Sequence, residues 1–270
     1  DLPVPQHWNQ AVLLGIRDML QIDILECALA CLIKHHDALR FRYENQQQRY
    51  ESTMNMEGLV KYVDCVGLDD DRFAESLKVV SAGLQSSLNL LEGPLMKIAY
   101  FDRGEDKSGR LLWIIHHLVV DGVSWRILLE DLGTVYGQVA QKEPQSLPGK
   151  TSSYAQWAKL LDEKAQSDKF KRQFEYWSGR RSVNRLPLDF PEHSSDNKTR
   201  DARTVTVHLT TAETESLLRD VPSVYHTQIN DVLLSALLVV FNEWTGKDQL
   251  YLELEGHGRE ELERNVDITR

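Results

Sequence analysis

Leu111 to Ile115 reads LLWII, five apolar residues in a row at strand length. A half-buried strand alternates, whereas an uninterrupted apolar strand has to be covered on both faces. The chain is long enough to supply that cover. Its 270 residues suggest two domains or lobes, each able to bury a core. Hydrophobic residues make up 41% and charged residues 27%, the balance of a folded soluble chain. The net charge of −10 argues against nucleic acid or an anionic membrane as partner, since either asks for a basic face. The longest apolar stretch, around Asp231 to Phe241, is about half of a membrane span.

Strand-like and helix-like segments alternate on either side of this run. His7 to Ile16 has strand composition, and Ile22 to His36 carries apolar residues at helical spacing. Leu39 to Tyr43 alternates like a half-buried strand, with a polar turn at Gln46 to Gln48 after it. Strands are expected near Leu59 to Tyr62 and at Leu95 to Phe101, with a helix over Phe73 to Ser87 between them. A helix at Ser124 to Gln141 follows the apolar run, then one long amphipathic helix from Tyr154 to Arg180. Polar Pro191 to Arg203 is the expected boundary between an N-terminal lobe (1–190) and the start of a C-terminal lobe (204–270). Beyond it come a strand at Thr204 to Leu209, a helix opened by Thr211, and an apolar helix at Ile229 to Trp244. Thr227 or Asn230 is placed to cap the last helix and Gly246 to stop it. A strand at Leu250 to Leu254 follows. The fold class is α/β.

Three cysteines are too few for a disulfide scaffold and suggest a reducing, cytoplasmic setting. Cys27 and Cys31 share one helix face and read as small core residues rather than a redox pair. The chain begins at Asp1 without a methionine, so it reads as a piece of something longer.

Two stretches carry chemistry. HHLVVDG at 116–122 puts a histidine pair at the end of the buried strand. Imidazole is the side chain best suited to moving a proton near neutral pH. Asp121-Gly122 reads as a turn, from which Asp121 could fold back toward the histidines or form a structural ion pair. The second stretch is EGHGRE at 255–260, where Glu255 ends an apolar segment. A carboxylate in a partly dry cleft has a raised pKa and can exchange protons. Taken alone, the second stretch reads more readily as a solvated turn than as a functional site. The histidines form no HExxH or Cys/His ligand set, and no metal is expected.

Taken together, HHLVVDGVSWRILLEDL and EGHGRE resemble the epimerization domains of nonribosomal peptide synthetases. These belong with the condensation domains, which share HHxxxDG. HWNQAVLL at 7–14, HHDALRFRY at 35–43 and TQINDVLLSAL at 227–237 extend the resemblance from about residue 7 to residue 270. HHxxxDG alone marks the wider superfamily, whereas DGVSW with EGHGRE points to epimerization. The family's opening PIQxWF-like motif and its later GWF-like and GYG-like segments are missing from the chain.

The resemblance implies a chloramphenicol acetyltransferase-like fold, two lobes in a V with the active site between them and the second lobe incomplete here. It implies inversion of Cα in an aminoacyl or peptidyl thioester, with no cofactor bound by the domain itself. The substrate would be presented on the 4′-phosphopantetheine of a carrier protein, beside adenylation and condensation domains. His117 and Glu255 would be the catalytic acid/base pair. His116 and Asp121 would be structural, Asp121 through Arg259, and Gly122 would keep the approach open. Ser124 and Trp125 would line the site. The rival reading is a condensation domain, which needs His117 but has no evident need for Glu255. A third is a silent lobe that docks carrier proteins, with Lys159, Lys164, Lys169, Lys171 and Arg172 as a candidate patch that otherwise reads as a solvated face.

Overall fold

The structure is a computed structural model that describes residues 4–45, 47–178, 186–187 and 202–270. The expected boundary at Pro191 to Arg203 lies outside these residues apart from Ala202 and Arg203. The chain divides into two compact units: Asp1–Ala165 with His257–Arg270, and Gln166–Gly256.

The first unit is built on a four-stranded sheet. Its strands in chain order are β1 (Asn9–Ile16), β4 (Val60–Asp64), β5 (Met96–Asp102) and β6 (Gly109–His116), and a separate hairpin pairs β2 (Phe41–Glu44) with β3 (Gln47–Tyr50). The spatial order is β1-β6-β5-β4, antiparallel except for the parallel β4·β5 pair. The LLWII run therefore becomes an inner strand, and Trp113, Ile114 and Ile115 are fully buried.

Its two faces enter different cores, as an uninterrupted apolar strand requires. Leu111, Trp113 and Ile115 pack with α1 (Ile22–His35) and with α3 (Gly122–Ala140), through Leu29, Leu32, Leu128 and Val135. Leu112 and Ile114 pack with Phe73 of α2 (Asp70–Ser86) and with Phe101. A buried aliphatic or aromatic side chain contributes about 1.5–3 kcal/mol, so this one strand anchors the unit. β1 is an edge strand and shows the expected alternation, with Leu13 exposed.

Several boundaries differ from the sequence expectation. Residues Pro5–His7 form a 3₁₀ turn, so β1 starts at Asn9. Asp37–Arg40 is also 3₁₀, which leaves β2 to begin at Phe41. The hairpin turns at Asn45, whose φ is +50°, and Gln47 and Gln48 already lie in β3. The long helix is two, α4 (Tyr154–Ala165) and α5 (Asp168–Ser178). Ser167 and Asp168 favour a helix start and interrupt the run. Of the cysteine pair only Cys31 packs partly against the core; Cys27 is exposed and accepts a hydrogen bond from Gln145 Nε2 at 3.3 Å. Burial raises the Cys31 thiol pKa.

The second unit is helical where it is regular. Thr210 and Glu213 form a capping box that opens α6 (Thr211–Glu215), which runs through a π turn into α7 (Val221–Tyr225). Helix α8 (Ile229–Thr245) is capped by Gln228 with Asp231, not by Thr227 or Asn230, and Gly246 stops it at φ +69°. Neither expected strand forms, and 204–209 and 250–254 are irregular. A strand exists only as part of a ladder. Val205 and Val207 are about nine-tenths exposed, so neither packing nor pairing holds this segment extended. Among the described residues no single helix is long and apolar enough to cross a membrane.

Candidate active site

Strand β6 delivers the histidine pair. Its last residue, His116, is 1% exposed. His116 Nε2 donates to the Pro5 carbonyl at 2.9 Å, and Nδ1 accepts from the Leu118 amide at 3.2 Å. Both ring nitrogens are used, so His116 is a neutral bracket between the chain before β1 and the turn after β6. Burial pushes its pKa down, only partly offset by the Pro5 carbonyl.

His117 opens a single 3₁₀ turn, His117–Val119, and is half-buried. Its amide donates to the Trp8 carbonyl at 2.9 Å, and the Trp8 ring lies 4.7 Å from the imidazole. A carbonyl can only accept, so the 3.0 Å contact between Nδ1 and Val120 O places the ring proton on Nδ1. Nε2 then carries the lone pair, the arrangement a proton acceptor needs. Tyr43 of β2 braces the same turn by donating to Leu118 O at 3.2 Å; burial, with a smaller push from Tyr154, raises its pKa to about 12.

Asp121 caps α3. Its Oδ1 accepts from the Ser124 amide at 2.7 Å. Burial pushes its carboxyl up, but the Ser124 amide and hydroxyl together with Arg259 outweigh that and hold it below the usual range. Arg259 Nη2 lies 3.5 Å from Asp121 Oδ1 and 3.0 Å from Ser124 Oγ, while Nη1 donates to Ile268 O at 3.2 Å. Gly122 is exposed at the first turn of α3, and a Cβ there would meet no atom within 4 Å. Trp125 is buried, packs edge-on against Trp113 at 5.5 Å, and donates Nε1–H to Gln10 Oε1 at 2.9 Å.

The first unit thus brings together His116, His117, Asp121, Ser124, Trp125 and Arg259. The segment His257–Arg270 packs here, whereas the sequence division grouped it with 204–256. Its anchors are Arg259, an ion pair between Lys164 and Glu263, the Ser152 amide on Asp267 O, and Arg270 on Asp131. Gly258 takes φ +67°, the left-handed conformation expected of a glycine in this stretch. Glu255 belongs to the second unit, where it is exposed in an irregular segment.

His35, His36 and Asp131 also converge, with one ligand-type atom from each within 4.8 Å of the others. Both oxygens of Asp131 are engaged, Oδ2 by His36 Nε2 at 2.8 Å and Oδ1 by the Arg270 guanidinium. A guanidinium on the carboxylate opposes a cation there, and the cluster works as an anchor. The five cations of the candidate docking patch divide between helices: Lys159 and Lys164 on α4, the other three on α5. Lys159 faces Glu163 at 3.8 Å and Lys164 pairs with Glu263.

Sequence reading missed Gln10, Trp8 and the Val120 carbonyl. The β1·β6 register sets Asn9 opposite His116 and Gln10 opposite Ile115, which carries HWNQ beside the histidine pair. A glutamine ahead of the apolar residues of β1 was the available signal.

The condensation-domain family matches residues 2–270. A linear gramicidin synthase subunit of Brevibacillus parabrevis is 42% identical over 275 residues, 99% of this chain and 5% of that protein. Surfactin synthase subunit 1 of Bacillus subtilis (strain 168) is 39% identical over 270 residues, 98% of this chain and 7% of that protein. The chain therefore spans a small part of these curated relatives. Among solved structures, the epimerization domain from the third module of tyrocidine synthetase B superposes with a TM-score of 0.86 at 35% identity, covering 98% of this chain and 61% of that one. The SgcC5 protein from Streptomyces globisporus shares the fold, with a TM-score of 0.64 at 17% identity over 89% and 55% of the two chains.

Proposed function

The chain belongs to the condensation-domain family of nonribosomal peptide synthetases, with a mixed α/β, chloramphenicol acetyltransferase-like fold, and from that premise we propose that it is an epimerization domain. It would invert Cα of an aminoacyl or peptidyl thioester held on the phosphopantetheine arm of a carrier protein, in an intracellular assembly with adenylation and condensation domains. One observation carries the reading beyond the family. Ser124 of DGVSW and Arg259 of EGHGRE, the two stretches whose combination points to epimerization, are in contact at 3.0 Å. The likeness to the tyrocidine synthetase epimerization domain supports the same reading.

The chemistry needs two proton carriers. A thioester acidifies the adjacent Cα–H. A base takes that proton from one face, leaving an enolate, and an acid returns a proton to the other face. His117, with Nδ1–H tied to Val120 O and a lone pair on Nε2, is equipped for one role. Glu255, the first residue of EGHGRE, takes the other in this reading. Each positioned group supplies on the order of 10²–10⁴ in rate. No cofactor enters these steps, because the thioester itself provides the electron sink.

In the complete domain, His117→Ala and Glu255→Gln should each nearly abolish exchange of the Cα hydrogen with solvent deuterium on a carrier-bound substrate. Exchange retained in both variants would overturn the assignment. Amide formation between two carrier-bound substrates without inversion would establish condensation instead.

A further inference from the structure

Gln10 sits between two ring nitrogens. Its Oε1 accepts from Trp125 Nε1 at 2.9 Å, and its Nε2 lies 3.4 Å from His117 Nε2. An indole N–H can only donate, so the amide atom facing Trp125 must be the oxygen. The NH₂ end must then face His117. The geometry points to Gln10, locked in this orientation by Trp125, as a positioning residue that holds the His117 ring with its Nε2 lone pair directed at the amide until substrate competes for it.

The argument rests on what protonation does to this pair. In the neutral ring, Nδ1 donates to Val120 O and Nε2 accepts. The Gln10 NH₂ is a matched partner for that form. Protonating Nε2 sets two N–H donors face to face. An unrestrained glutamine relieves this by rotating its amide through half a turn. Here rotation turns the NH₂ toward Trp125 Nε1–H and exchanges one clash for another. Trp125 itself is held by burial and by its edge-on contact with Trp113. The locked amide is therefore matched to the ring with its proton on Nδ1 and its lone pair on Nε2. The contact is long at 3.4 Å, so the bond is weak and a substrate Cα–H can displace it.

The other titratable or charged groups on the elements meeting here include His7, Tyr43, Arg110, His116, Asp121, Arg126, Glu130, Asp131, Tyr136 and Arg259. His116 has both ring nitrogens bonded, Asp121 and Arg259 neutralise each other, and the Tyr43 hydroxyl is committed to Leu118 O. None of them offers His117 Nε2 an acceptor in the described contacts.

The link to turnover rests on the epimerization reading, but the protonation of His117 can be measured without turnover. The test is an NMR titration of the histidine ring signals in the complete domain, with His117 assigned by its loss in His117→Ala. Gln10→Glu keeps the shape and the acceptor for Trp125 but turns a carboxylate oxygen toward Nε2. The His117 midpoint should rise by about one pH unit or more, as beside any new carboxylate. Trp125→Phe frees the amide to rotate and should also raise the midpoint, by less. A His117 midpoint unchanged in folded Trp125→Phe overturns the proposal, whatever Gln10→Glu does. If the domain is an epimerase, the acid limb of the deuterium-exchange profile should move with the midpoint in Gln10→Glu. Absence of exchange in the wild-type domain would count against the epimerase reading alone, because the titration stands independently.

Discussion

Arg259 Nη2 lies 3.0 Å from Ser124 Oγ and 3.5 Å from Asp121 Oδ1, and so clamps the chain's last segment to the first turn of α3. The same turn follows directly from the histidine pair in the chain. Asp121 does two jobs there, as helix cap and as ion-pair partner.

Those two jobs can be separated. Asp121→Asn keeps an oxygen for the Ser124 amide and loses only the charge, whereas Asp121→Ala loses both. Loss of the cap costs about 1 kcal/mol. The ion pair is partly exposed, and screening limits its coupling to about 0.5–1 kcal/mol. Urea unfolding of Asp121→Asn, Arg259→Gln and the double variant should return that coupling. A coupling of zero would mean that Arg259 acts through Ser124 Oγ and Ile268 O alone.

Asp131 is the deeper of the two carboxylates, 1% exposed, and holds His36 on one oxygen and Arg270 on the other. Removing one partner of a buried pair leaves an uncompensated charge, at a cost of about 3–5 kcal/mol. Arg270 and His36 keep some contact with solvent, which places Asp131→Asn near the lower end of that range. Denaturant midpoints should show the larger loss for Asp131→Asn and a smaller one for Arg270→Gln, because His36 remains on the carboxylate in the latter.

The four-stranded sheet of the first unit was legible because its residues satisfy local and tertiary rules at once. Leu111 to Ile115 is apolar throughout and buried on both faces, and α1 and α3 carry their apolar residues at helical spacing. The site was legible where chain neighbours build it: His116, His117, Asp121 and Ser124 are consecutive or nearly so. Gln10 was not, because only the β1·β6 register brings it beside a histidine about a hundred positions away. Thr204 to Leu209 and Leu250 to Leu254 show the opposite failure. Their composition favours strands, but a ladder needs a neighbour, and strand propensity alone does not supply one.

Trp113 tests the weight of the apolar run. It is fully buried on the α1/α3 side of β6 and packs against Trp125 at 5.5 Å. Trp113→Ala should cost about 3–5 kcal/mol, the range for deleting a large buried aromatic. Leu13→Ala, on the exposed side of β1, should stay within about 0.5 kcal/mol. Equal losses at the two positions would contradict the burial of Trp113 against α1 and α3. Because Trp125 carries the Gln10 bond, Trp113→Ala should also loosen the Trp125 indole resonance, a change visible by NMR before global unfolding.

The buried histidines set the response to acid. Burial lowers the pKa of His35, His36 and His116 in the folded chain, in His36 against an opposing pull from Asp131. The unfolded chain has ordinary imidazoles that take up protons below about pH 6.5. Between that value and the lower folded-state values the unfolded chain binds more protons, so acid favours unfolding. Stability is therefore complete above about pH 6.5 and is lost as pH falls toward the folded pKa values. Asp121, held low in the folded chain, adds a second loss only in stronger acid, below its unfolded value of about 3.9. The thermal midpoint should stay flat from about pH 8 to about pH 7 and then fall toward about pH 5. His36→Gln should make that fall shallower, because one lowered histidine is gone. A slope identical to wild type would assign the acid sensitivity to His35 and His116.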